Sequence, residues 1–202
     1  MKKELRAFGF DDPLKTELEQ LITIHADLRR AISCLQTLVP PSQLMRDSGI
    51  IGMALHTQAL VSYARCFTSG RRKGLGVAVY SAKPEYLAIH NDIKSLRDKH
   101  VAHSVGKSEH CNVLVAAKDE TSPAEGLGVR YWFLAGGDGK YMKNFLKIAE
   151  FSQRHTATEI ERVGNLLSKK YLGSKATWKK AQRAFYQSVS EEAVYGPIKR
   201  ET

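Results

Sequence analysis

The stretch PEYLAIHNDIKSLRDKHVAH (residues 84–103) decides how the rest of the chain is read. Pro84-Glu85 opens a helix. Tyr86, Ile89, Ile93, Leu96, His100 and His103 then follow at steps of three and four, the spacing of one helix face. The spacing predicts a packing stripe that ends in two imidazoles. Arg97 sits three residues before His100 on the shoulder of that face, and Asp98 lies about 100° further round. A guanidinium is almost never buried without a partner. Arg97, Asp98, His100 and His103 therefore mark a candidate site. The other reading is a core helix that ends in two hydrogen-bonded histidines, whose charged forms suit the C-terminal end of the helix dipole.

Outward from this helix the chain divides by period. Leu14, Leu18, Leu21, His25, Leu28, Ile32 and Leu35 form the seam of a long amphipathic helix, opened by Asp12-Pro13 and closed by Pro40-Pro41. A second helix starts at Ser42 or Ser48 and reaches Thr68, where Ser69-Gly70 and the basic turn Arg71-Arg72-Lys73 stop it. Gly74 to Lys83 reads as a loop. After Gly106 the period shortens: Cys111 to Ala117 and Val129 to Ala135 read as a β-hairpin, about residues 110–136, ended by Gly136-Gly137-Asp138-Gly139. From Tyr141 to Tyr171 helical spacing returns with Phe145, Ile148, Phe151, Ile160, Val163 and Leu167. A basic last helix occupies about residues 174–190. The expected fold is mainly α: one domain over residues 1–202, a helical bundle with a β-hairpin inserted between its third and fourth helices.

Bulk composition narrows the function classes. Hydrophobic residues make up 43% and charged residues 26%, enough for a sizeable core and too apolar for a disordered chain. The excess of 31 Lys and Arg over 21 Asp and Glu gives +10, which favours polyanionic partners. Cys34, Cys66 and Cys111 are far apart and odd in number, so they read as free thiols in a reducing compartment. Met1 to Asp12 shows no signal peptide. The most apolar window, Ile50 to Phe67, is interrupted by His56, Gln58 and Arg65 and reads as a buried helix, with no membrane contact. A cytoplasmic protein is expected.

Arg97-Asp98-Lys99-His100-Val101-Ala102-His103-Ser104 resembles the signature of the HEPN superfamily: an Arg, four to six residues, then a His, in a late helix of a small bundle. The form Leu-Arg-Asp-Lys-x-x-Ala-His is closest to its abortive-infection-type branch. Gln58-Ala59-Leu60-Val61-Ser62-Tyr63-Ala64-Arg65 looks like the partner helix of those bundles, and the resemblance covers roughly residues 10 to 171. It implies a HEPN-like helical bundle and a homodimer in which two motif copies face one cleft. It also implies an endoribonuclease that needs no metal or cofactor, of toxin or phage-defence type, with an antitoxin protein as a further partner.

The chemistry fits the residue types. His103, titrating near neutrality, takes a proton from the ribose 2′-OH or gives one to the leaving 5′-oxygen. Arg97 offers a permanently charged planar fork to the phosphate. Asp98 holds Arg97 or an imidazole, and His100 is either a second acid–base group or a packing residue. The products would be a 2′,3′-cyclic phosphate and a 5′-hydroxyl. On a straight helix Arg97 and His103 differ by about 120° and roughly 9 Å along the axis. One copy then converges poorly on one phosphate, so either the helix end distorts or a second chain supplies the rest.

Further residues carry weaker signals. Lys169, Lys170, Lys175, Lys179, Lys180 and Arg183 run without an acidic residue, with Tyr171, Trp178, Phe185 and Tyr186 interleaved. That composition suits phosphate contacts with base stacking, or else a solvated helix face over an aromatic core. Lys99 and Arg65 are also candidate RNA contacts. Arg65 either points into a cleft beside Arg97 or pairs with an acid such as Asp47 or Asp92. His56 and His25 read as satisfied polar positions in or near the core. His90 and His110 lack partners at metal-ligand spacing. Gly74-Leu75-Gly76 and Gly126-Leu127-Gly128 read as turns. Two rival functions stand beside the nuclease: a non-catalytic helical dimerisation or binding module, and a nucleic-acid-binding regulator working through the basic last helix.

Overall fold

Asp12 and Pro13 start the first helix by the means their chemistry offers. The computed structural model describes residues 9–39, 49–68, 73–101, 110–119, 125–132, 139–172 and 174–188. Pro13 is the first residue of α1 (Pro13–Leu38). The Leu14 N–H donates to the Asp12 Oδ1 at 2.7 Å, and the Thr16 N–H to the Asp12 carbonyl at 3.2 Å. The first of these satisfies a donor that the first turn would otherwise leave open, and the second is the first bond of the helix ladder. There follow α2 (Gly49–Arg65), a 3-10 turn (Val77–Tyr80), α3 (Pro84–Leu96) and a π-helical turn (Arg97–Val101). Strands β1 (His110–Ala116) and β2 (Gly126–Trp132) precede α4 (Gly139–Tyr171) and α5 (Lys175–Ser188). The described residues are mainly helical, with these two strands alone as sheet. None of the described helices is long and apolar enough to cross a membrane.

The chain folds as two compact units, Ile24–His155 and Met1–Thr23 with Thr156–Thr202. In the Ile24–His155 unit, Ile24, Leu28, Leu35, Leu60, Tyr63, Ile93, Phe145 and Ile148 lose essentially all contact with solvent. They form one core from the second part of α1, α2, α3 and the first part of α4. The α1 seam departs from the sequence reading. Leu28, Ile32 and Leu35 are buried as expected, but Ile24, Ala31 and Leu38 join them, while Leu14, Leu18, Leu21 and His25 are only half-buried. Gly74 lies hard against the end of α2. A Cβ there would come 2.7 Å from the Thr68 carbonyl oxygen, and the Leu75 N–H donates to the Cys66 carbonyl at 2.6 Å. This close approach, more than any turn conformation, explains the glycine.

β1 and β2 pair antiparallel, with Val113 opposite Val129 and Val115 opposite Leu127. Gly126-Leu127-Gly128, read above as a turn, belongs to β2 and pairs with Ala116, Val115 and Leu114. Cross-strand pairing overrides the local turn signal here, although glycine inside a strand weakens it. β2 accordingly begins three residues before Val129.

In the other unit, Thr156, Val163, Leu167 and Ala181 are buried. Arg162 donates to Glu17 on α1 and to Glu159 on its own helix, each at 2.9 Å. Ser174 caps α5: the Thr177 N–H donates to its Oγ at 3.2 Å and the Trp178 N–H to its carbonyl at 3.1 Å. A short polar side chain before the first turn is the residue type such a start prefers.

Candidate functional site

The face that α3 turns to the core is Tyr86, His90 and Ile93, all at or below 5% exposure. Ile89 and Leu96, placed on that face by the sequence reading, are half-buried flanks. The true stripe runs 86, 90, 93 at steps of four and three, and its next member is residue 97. Arg97 thus stands on the packing stripe itself. Its backbone N–H is shared between the carbonyls of Ile93 and Lys94.

Beyond that point the ladder changes. Arg97–Val101 wind as a π turn, whose i→i+5 bonds put more residues in each turn than an α-helix holds. The straight-helix geometry used above for Arg97 and His103 therefore does not apply. Within Arg97–Val101 the regular α pitch assumed in extending the stripe gives way to the π pitch. The π turn packs against α2 as well as continuing α3.

The Arg97 guanidinium, with its side chain 27% exposed, lies 2.8 Å from the Asp98 carboxylate. That pair is the part of the candidate cluster that the structure brings together. Lys99 is exposed. His103 and the His100 side chain lie outside the described residues. Arg65 turns out to sit by a different acid from those considered: its Nε is 3.9 Å from the Asp27 Oδ2. Asp27 is buried on α1 and also accepts from Arg30 at 3.0 Å. Lys175, Lys179, Lys180 and Arg183 are all exposed on α5, in the other unit. Among the described residues no three His, Cys, Asp or Glu side chains converge as a metal site. No family model, curated protein or solved structure matches this chain.

A buried polar chain went unseen in the sequence. Ser152 Oγ donates to the Ile148 carbonyl at 2.8 Å, which fixes every bond behind it. A hydroxyl has one proton, so Tyr80 must donate to Ser152 Oγ at 2.6 Å, and Tyr63 to the Tyr80 oxygen at 2.7 Å. His90 must then donate from Nδ1 to the Tyr63 oxygen at 3.0 Å. The tautomer of His90 follows from the connectivity alone. All four side chains are buried, and Tyr80 comes from the stretch read as a loop. Burial, helped by the charge of Lys94, pushes His90 down to about 4. Burial likewise pushes Tyr80 up to about 12 and the Tyr63 hydroxyl further still.

His56 is also buried, and burial pushes it down to about 4. It is not satisfied as expected, because its Nε2 has no hydrogen-bond partner among the described residues. Its ring meets that of Tyr141 edge-on, with centroids 5.8 Å apart.

Proposed function

We propose that this chain is a HEPN-like helical protein that cleaves RNA without a metal, acting as a homodimer through a cleft lined by two copies of the Arg97–His103 motif. The observation that carries this reading is the Arg97–Asp98 pair. A guanidinium stands on the packing stripe of α3, is aligned by a carboxylate at 2.8 Å, and remains accessible on one side. A stripe position held by Arg is costly for packing alone, and a π turn at a helix end is a common feature of functional sites. The net charge of +10 favours a polyanionic substrate.

In this reading one His103 removes the proton of a ribose 2′-OH. The 2′-oxygen attacks phosphorus, and the 5′-oxygen leaves with a proton from a second imidazole, either the other copy's His103 or His100. Arg97 holds the phosphate oxygens as charge builds on them, and Asp98 keeps its fork in place. Lys99 and Arg65 are outlying RNA contacts, and the paired strands form an inserted hairpin. A toxin or phage-defence role, with an antitoxin as partner, belongs to the same proposal.

The test is digestion of RNA in chelator with purified wild type, Arg97→Ala and His103→Ala. The proposal expects cleavage leaving 2′,3′-cyclic phosphate ends, reduced by at least about 100-fold in both variants. Equal cleavage by all three proteins would remove it.

A further inference from the structure

The unit formed by Met1–Thr23 and Thr156–Thr202 carries an open cleft of about 510 Å³, lined by Phe10, Leu167, Tyr171, Leu172, Lys175 and Trp178 with Ser168 at its wall. Its volume is that of a small-molecule site. Three rings frame it: Phe10 and Tyr171 have centroids 5.1 Å apart, Phe10 and Trp178 5.8 Å, and Tyr171 and Trp178 6.3 Å. Both Tyr171 and Trp178 remain half-exposed, so their rings are not used up by the core.

The acid beneath the cleft is already committed. Asp12 Oδ1 accepts from Leu14, and Oδ2 accepts from Lys170 and Tyr171. Burial alone would raise its carboxyl, but these bonds prevail and hold it below the usual carboxylate range. Lys170 also lies over the Tyr171 ring, 5.5 Å from its centroid. Beside the cleft, Lys175, Lys179 and Arg183 repeat every four residues along α5, so they share a side of the helix about 6 Å apart along its axis. All three are exposed, and residues 175–188 contain no acid. An open apolar cleft walled by rings set edge-on to one another, beside a row of cations with no acid on its own helix, fits a ligand that is aromatic at one end and repeatedly anionic along its length.

We propose that this cleft and this stripe form a subsite for single-stranded RNA: one base lies against Tyr171 and Trp178, and the flanking phosphates lie on Lys175, Lys179 and Arg183. The subsite deepens the ribonuclease reading by giving its substrate a place to bind, and it is measured apart from cleavage. Stacking platforms beside a basic groove are how single strands are held without sequence preference.

The probe is a 12-nucleotide oligo(A) with 2′-O-methyl riboses, which has no 2′-OH to attack and survives a nuclease. The chain has two tryptophans, so Trp132→Phe leaves Trp178 as the reporter. The oligonucleotide is expected to quench Trp178 fluorescence, and adenosine monophosphate to bind at least about 10-fold more weakly because it brings one phosphate. With a labelled oligonucleotide, Trp178→Ala is expected to weaken binding about 5- to 150-fold, while Trp178→Tyr stays within about threefold. Lys175→Gln with Lys179→Gln alters only exposed groups. It is expected to flatten the plot of log affinity against log salt by about 1.4, roughly 0.7 for each lost phosphate contact.

Absence of quenching, equal binding of the monophosphate and the strand, or a salt slope unchanged in the double lysine variant would each overturn the proposal. The lysine variant decides even if Trp178→Ala does not fold. Binding without any cleavage by the wild type would sink the nuclease reading and leave this subsite standing.

Discussion

Acidification tests the buried histidines of the Ile24–His155 unit. His56 and His90 are 1% and 2% exposed, and each is pushed to about 4 in the folded state. In an unfolded chain an imidazole titrates near 6.5. Between these values the unfolded state binds more protons, so stability rises with pH and falls as the solution is acidified. The loss begins near pH 6.5, grows to pH 4, and is complete below that. At pH 5 each ring would contribute about 2 kcal/mol of lost stability, and the two together about 4 kcal/mol. That is a large part of the roughly 5–15 kcal/mol available to a folded domain.

The hydrogen-bond direction sharpens this prediction. His90 donates from Nδ1 in its neutral form, and protonation keeps that N–H, so the chain to Ser152 keeps its polarity. The cost of charging the ring is its burial beside Lys94, not a reversal of the network. Urea unfolding followed by far-ultraviolet circular dichroism, at pH 7 and pH 5, is the assay. The midpoint is expected to fall by on the order of 2 M with an unchanged slope. His56→Asn, which removes one titrating ring, is expected to halve that fall. Equal midpoints at the two pH values would refute the reasoning, because rings already charged or solvated in the folded state would be the only way to obtain them.

Other perturbations follow from the same structure. Tyr80→Phe leaves the Tyr63 proton without its acceptor and Ser152 Oγ without its donor; a loss of about 2–4 kcal/mol is expected in urea or thermal unfolding. Gly74→Ala drives a Cβ to 2.7 Å from the Thr68 oxygen and is expected to cost about 1–3 kcal/mol. Gly76→Ala, whose Cβ would meet nothing closer than 4.0 Å, should stay within about 0.5 kcal/mol when measured alongside it. Asp12→Ala removes the helix cap and is expected to cost about 1–2 kcal/mol, whereas Asp12→Asn, which keeps a capping oxygen, should cost less in the same melt.

Helix starts were the most legible part of the sequence, because their determinants are local. Asp12-Pro13 and Pro84-Glu85 each act through the next turn, and the observed helices begin there. The face of α3 was less legible. Ile89 and His90 are neighbours, and apolarity favoured Ile89, but a histidine with a tyrosine to bond buries as well as an isoleucine. Tyr80 was hidden for a related reason: its partners Tyr63 and Ser152 lie 17 and 72 residues away, beyond any local pattern. A tyrosine closing a loop of otherwise small residues was the available hint. Asp27 as the companion of Arg65 has the same origin, an attraction across helices rather than along one. The π turn left no mark that α-helical spacing could register.

The turn at Arg97–Val101 differs from an α-helical turn by one residue of hydrogen-bond span. In effect it is an insertion carried within a helix, and an insertion can be undone. Deleting Lys99, which is exposed, would let the ladder close at the ordinary span while Arg97 kept its place on the stripe. The turn is therefore a spelling difference of a single codon between an α-helical and a π-helical finish to α3.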